Sequence, residues 1–184
     1  MKLKSIAALT MFLVSSACAD PTEDEEKFLK IEGADPSYRV REMETFKKAD
    51  LPAGIIELMQ GYDWGSADGS SLPATFQGYR LDLNKDGQKE YFIETIYGGS
   101  GGPAFMVLAR IRDKWSVILD FQGGFGIVPT STEWPEIVST SRGGGGTYAK
   151  LHFEFEVGQY RETIRESYVR GTITKKVIPK AAKG

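Results

Sequence analysis

The sequence predicts a mainly β protein: two related antiparallel β units forming a twisted sheet or small sandwich, behind a short helical or irregular N-terminal arm. Three observations carry this. Leu151, Phe153, Phe155 and Val157 alternate with Lys150, His152, Glu154 and Glu156, the period-2 pattern of a strand with one face turned inward. Residues 90–97 (EYFIETIY), 104–111 (AFMVLARI) and 115–121 (WSVILDF) are apolar runs of strand length, bounded by glycines or by the turn residues 112–114. Finally, a unit recurs at an offset of about 45 residues. Residues 90–93, the glycine cluster 98–102, a strand, a turn and Trp115 are echoed by 136–138, the glycine cluster 143–146, a strand, a turn and Tyr160. Two such units are too few to close a propeller, which leaves a single sheet or a sandwich.

The 184 residues suffice for one ordinary domain. With 41% hydrophobic and 26% charged residues the chain can bury a core, so wholesale disorder is excluded. The formal net charge of -2 lacks the basic surplus that phosphate backbones require, which argues against nucleic acid as a partner. One cysteine rules out a disulfide scaffold and any multi-cysteine zinc site.

The first element, 1–19, reads as an export signal. Lys2 and Lys4 form the positive start, 6–14 is apolar, and small residues follow. The apolar run is too short for a bilayer, which needs about 20 residues. Two processing routes remain open. Ala17-Cys18-Ala19 fits an A-x-A site and would release a chain beginning at Asp20. Ser15-Ser16-Ala17-Cys18 instead resembles a lipoprotein box, with Ser15 where Leu is usual, and would place a lipid on Cys18 as the only link to a membrane. Either way a periplasmic or secreted location is expected, with membrane anchoring in the second case.

Residues 20–50 form a charged arm, with Glu23-Asp24-Glu25-Glu26 set among few apolar residues. The β domain is expected over 51–184, with its two units at about 79–121 and 128–166. Within it, 55–59 between Pro52 and Gly61 fits one helical turn or a short strand. After the alternating strand, 157–159 turns the chain into 160–166, and 167–177 makes a last β-branched strand.

The sharpest motif is 82–90, DLNKDGQKE. Asp82, Asn84, Asp86 and Glu90 stand at loop positions 1, 3, 5 and 9, and Gly87 stands at position 6, where the chain bends sharply. Calcium takes six to eight oxygen ligands, and alternate residues of a tight loop can aim theirs at one centre. The expected ligands are these four side chains and the backbone carbonyl of Gln88, holding a structural Ca²⁺. It is not an EF-hand: position 12 is Ile93, position 8 is Lys89, and the loop leads into a strand. The competing reading is a plain turn, for which Asn, Asp and Gly are the usual residues.

This D-x-N-x-D-G-x-x-E loop feeding an apolar strand resembles the calcium loops of FG-GAP and VCBS-type repeats. With its glycine pairs and later Trp, the stretch 79–161 is similar to small exported bacterial proteins carrying that loop. The resemblance implies calcium at Asp82, Asn84, Asp86 and Glu90, and no established activity. The second unit's equivalent stretch, 128–136, departs from the pattern, with Val128, Thr130 and Thr132 where the loop carries Asp82, Asn84 and Asp86, so one metal site is expected.

Other signals carry less. Residues 99–104 fit G-x-G-x-x-[GA], with Asp120 downstream, but 104–112 shows no helical face, as a dinucleotide site would require. Neither glycine cluster is followed by Gly-Lys-Ser/Thr. His152, the only histidine, falls on the polar face beside Glu154 and is expected to be exposed, without the partners of a triad. Glu154 and Glu156 share a strand face, a common arrangement in solvent. Tyr62, Trp64, Trp134 and Tyr148 are expected to act as lids over the core, with a sugar or partner as the alternative contact. The sequence thus points to a non-catalytic, calcium-binding accessory protein of the bacterial envelope, with a protein or glycan partner it does not name. The alternative is a periplasmic hydrolase, or an inhibitor of one, working through the glycine loops.

Overall fold

The computed structural model describes residues 21–38, 42–62, 64, 72–95 and 101–179. The segment 1–19 expected to be an export signal, with Cys18, lies outside the described residues, as do 96–100, which include the start of the first glycine cluster. Among the described residues, strands β1 (Glu44–Lys47), β2 (Thr75–Leu81), β3 (Glu90–Thr95), β4 (Ala104–Ile111) and β5 (Lys114–Gln122) form one five-stranded sheet in that order. Strands β6 (Gly124–Val128), β7 (Glu136–Arg142), β8 (Thr147–Glu156), β9 (Gln159–Val169) and β10 (Thr172–Val177) form the second, again in sequential order. Every pairing is antiparallel. The protein is a β sandwich, and β3–β4–β5 and β7–β8–β9 lie one in each sheet.

The two inner faces meet in an aromatic core. Phe92, Phe105 and Phe121 from the first sheet pack with Ile127, Ile137, Phe153 and Tyr160 from the second. Phe125 on β6 stacks on Phe92 with ring centroids 5.0 Å apart and planes within 9°. Burying such a side chain contributes about 1.5–3 kcal/mol, so this cluster is the main force joining the sheets. The first sheet is covered on its other face as well. There Ile93, Met106 and Leu108 pack against Ile55 and Met59 of helix α2 (Ala53–Gln60), with Phe46, Phe76 and Trp64. Burial on both faces explains why β4 reads as an unbroken apolar run rather than an alternation.

Helix α1 (Glu23–Leu29) opens with a capping box, in which Thr22 and Glu25 satisfy each other's backbone N–H groups, and carries four acids in its first turn. Its one buried residue, Phe28, lies with Tyr148 and Tyr168 on the outer face of the second sheet. No helix among the described residues is long and apolar enough to cross a membrane.

Several expectations at the level of elements are corrected. The stretch 55–59 belongs to an eight-residue helix, because Ile55 and Met59, four apart, fall on one helical face and bury together. The charged arm contributes β1, whose ladder to β2 buries Phe46 alone, too little for an apolar pattern to show. Strand β6 is not anticipated from the sequence, because two of its five residues are glycine and interrupt any apolar pattern. The last two strands divide at Arg170–Gly171, not between 166 and 167, so β9 is one eleven-residue strand. The register shift in β8 between His152 and Phe153 slips the pairing past Thr163 and breaks the alternation of β9.

A single residue carries the chain from one sheet to the other. Gly123, with φ +102°, separates β5 from β6, and its N–H donates to the carbonyl of Pro103 at 2.7 Å. A Cβ there would run into the backbone carbonyl of Thr140, so glycine is required twice over.

Candidate metal centre

The motif residues 82–90 close the hairpin between β2 and β3. Leu81 pairs with Glu90 at its mouth, which sets the first and last candidate ligands side by side. Leu83, only 1% exposed, plugs the loop into the core between the sheets. The remaining residues arch outward, with Lys85 at φ +60° and Gly87 at φ +87° in the left-handed region that this arch needs.

Backbone N–H groups hold the side chains of the loop. Asp82 Oδ2 accepts from Gly87 N–H at 3.1 Å, and Asn84 Oδ1 from Asp86 N–H at 3.3 Å. Asp86 Oδ1 accepts from Gln88 N–H at 2.7 Å, while its Oδ2 accepts from the Asn84 amide at 3.0 Å. Glu90 reaches across the mouth and accepts from Leu83 N–H at 2.7 Å. Asp82, Asn84, Asp86 and Glu90 are therefore gathered in one loop, whereas Gln88 is exposed there. Among the described residues, no three carboxylate, histidine or cysteine side chains converge closely enough to hold a metal ion as they stand. The carboxylates lie instead on the loop's own amides, which is the bonding of successive Asx turns.

Two features of the loop nonetheless fit a cation. Asp82 Oδ1 is buried without a hydrogen-bond partner, and an orphaned carboxylate oxygen is costly. Glu90 is only 3% exposed. Burial pushes its carboxyl up to about 7, against the Leu83 and Glu90 amides that favour the charged form, and the charges of Asp86 and Asp82 push in the same direction as burial. A buried Glu90 whose charge is opposed by those of Asp86 and Asp82 is an environment that a divalent ion would relieve.

Two tyrosines whose tie to this loop the sequence does not reveal frame it. Tyr38, from the arm, donates its hydroxyl to the Asp82 carbonyl at 3.1 Å. Its phenol is pushed up by burial and then by the charges of Asp35, Asp82 and Glu90. Tyr160 on β9 donates to the Pro135 carbonyl at 2.9 Å, and burial followed by the Glu90 charge pushes its phenol up as well. Neither carries a local signal, since Tyr38 sits 44 residues before Asp82. Leu83 does: it is one apolar residue inside an otherwise polar loop.

The other candidates fall elsewhere. His152 is not the exposed histidine expected beside Glu154. Its Nδ1 lies 2.6 Å from Glu136 Oε1 on the adjacent β7, both side chains are about one-fifth exposed, and its Nε2 is buried without a partner. The unbroken β7–β8 register sets Val138 opposite His152, which places Glu136 two residues along β7 on the same face as the imidazole. Trp134 stacks on Phe155 at 4.1 Å against the core between the sheets and Trp64 donates its indole N–H to the Met59 carbonyl under helix α2, whereas Tyr148 is buried with Phe28 and Tyr168 on the outer face of the second sheet. Ala104 opens strand β4, where a dinucleotide fingerprint would need a helix. At the glycine-loop end, Gly101, Gln122, Ser141, Gly143, Thr147 and Ser167 border an open cleft of about 540 Å³.

Comparison with protein-family models, curated proteins and solved structures finds no match to this chain.

Proposed function

We propose that this chain is an exported, non-catalytic binding or accessory protein of the bacterial envelope whose β2–β3 loop is braced by one Ca²⁺. The observation that carries the reading is the pair of ill-satisfied carboxylates at the hairpin mouth, Asp82 with its orphaned oxygen and Glu90 with its buried charge. Asp82, Asn84, Asp86 and Glu90 would hold the ion, with the Gln88 carbonyl as the fifth protein oxygen, and small turns of the carboxylates off the amides they now accept from would bring them in. The role is structural. The ion would fix the loop against the sandwich end that Leu83 and Tyr38 already clamp. Export rests on the positive, apolar and small-residue segments of 1–19, and a lipid on Cys18 would add a membrane anchor.

Isothermal titration of the mature protein tests the metal. The expected result is one Ca²⁺ per chain, lost in Asp86→Ala; equal heats from both proteins would remove the site.

A second reading, a periplasmic hydrolase or an inhibitor of one, is favoured by the cleft beside the glycine loops. Turnover of a glycan or ester library by the mature protein, abolished by filling the cleft with Ser141→Phe, would select it.

A further inference from the structure

Among the described residues, strand β10 is the outer edge of the second sheet and is bonded to β9 alone. All six of its residues are exposed, so neither of its faces is packed against the rest of the sandwich. The N–H of Ile178 donates to the Thr163 carbonyl at 2.8 Å, continuing the ladder to β9. Backbone groups alternate sides along a strand, so Thr172, Thr174 and Lys176 turn theirs to β9 while Ile173, Lys175 and Val177 present N–H and C=O outward. Around this open ladder lie three of the five large hydrophobic residues exposed among the described residues: Val169 at 47%, Ile173 at 59% and Val177 at 69%.

A bare edge of this kind is ordinarily blunted against aggregation, and lysine is the usual means. Lys175 and Lys176 perform that task against another copy of this chain. A two-fold antiparallel pairing centred on the strand sets Lys175 directly against Lys175 of the second copy, and like charges opposite one another are destabilising. The same two charges favour an acidic strand. Lys175 already reaches Glu166 on β9 at 3.0 Å, which shows the cross-strand geometry that a glutamate on the other side would repeat. Aliphatic side chains on the added strand would cover Ile173 and Val177.

We infer that β10 is a docking edge for an extended acidic segment of another protein, which adds to the second sheet as a sixth strand. Main-chain bonds to Ile173, Lys175 and Val177 supply the attachment, and the adjacent lysines select the partner. The inference is independent of the calcium reading, because β10 and the 82–90 loop belong to different sheets.

The probe is an acetylated, amidated eight-residue peptide of valine and threonine with two adjacent central glutamates, compared with the same peptide carrying glutamines. In amide exchange and NMR of the mature protein, the acidic peptide is expected to slow exchange at Ile173, Lys175 and Val177 by about tenfold or more, and the glutamine peptide to bind about tenfold more weakly. Ile173→Pro removes an outward N–H without touching the β9 ladder, so it should keep the melting temperature and lose the protection. Lys176→Glu leaves the backbone unchanged and should lose the acidic peptide as well. Equal binding of the two peptides, binding that survives both substitutions, or shifts without amide protection would overturn the inference. So would protein that pairs with itself through β10 instead.

Discussion

Glu90 is an acid that folding has taken out of water, with one oxygen on the Leu83 amide and Asp82 and Asp86 near enough to oppose its charge. Glu90→Gln keeps the acceptor for Leu83 and removes the charge. In metal-free protein near pH 7.5 this variant is expected to gain about 1 kcal/mol, a rise of about 2–4 °C in melting temperature, because an ionised carboxylate no longer has to be buried. Leu83→Ala should act the other way and cost about 2–4 kcal/mol in chemical denaturation, since a fully buried anchor is cut back to a methyl group. At this scale the spacing of oxygen side chains was readable in the sequence, and so was the arch at Gly87. The bonds those oxygens make were not, because Asx turns and calcium loops draw on the same residues. The Glu136–His152 pair was equally hidden, since it depends on strand register rather than on neighbours in the chain.

Elements follow from local chemistry where local chemistry is strong. Three two-residue hairpins, at Arg112–Asp113, Val157–Gly158 and Arg170–Gly171, have both central φ angles positive, the type I′ geometry that matches strand twist. The first two were legible, because apolar strands flank them; the third was missed because β10 buries nothing. Gly123→Ala is expected to be among the most damaging single changes outside the core, lowering the melting temperature by several degrees, because it adds strain at positive φ and a clash with Thr140. Helix α1 gives a pH-dependent prediction. The Glu25 carboxyl is held below its ordinary range, first by the Thr22 amide. A depressed acid stabilises the fold above its unfolded value of 4.5 and loses that contribution as pH falls through its folded value. Protection factors of the α1 amides, corrected for intrinsic exchange, should therefore fall as pH drops below 4.5, and Thr22→Ala should show the lower protection already at neutral pH.

For the whole molecule, the β class and the sandwich option were legible from period-2 patterning and strand-length runs. The layering was not, because nothing local says that β3 and β4 are covered twice or that the arm supplies both a helix and an edge strand. The joint between sheets is aromatic, so Phe92→Ala should cost about 3–5 kcal/mol and lower both sheets' stability together in one transition. The calcium reading is tested most directly by melting the mature protein and Glu90→Gln with and without millimolar Ca²⁺ in a chelator-treated buffer. A ligand that binds only the native state raises the melting temperature by mass action. The account predicts a clear calcium-dependent rise for the wild type and none for Glu90→Gln, even though the variant melts higher than the wild type without metal. A wild-type melting temperature indifferent to Ca²⁺, or the same rise in both proteins, would contradict it.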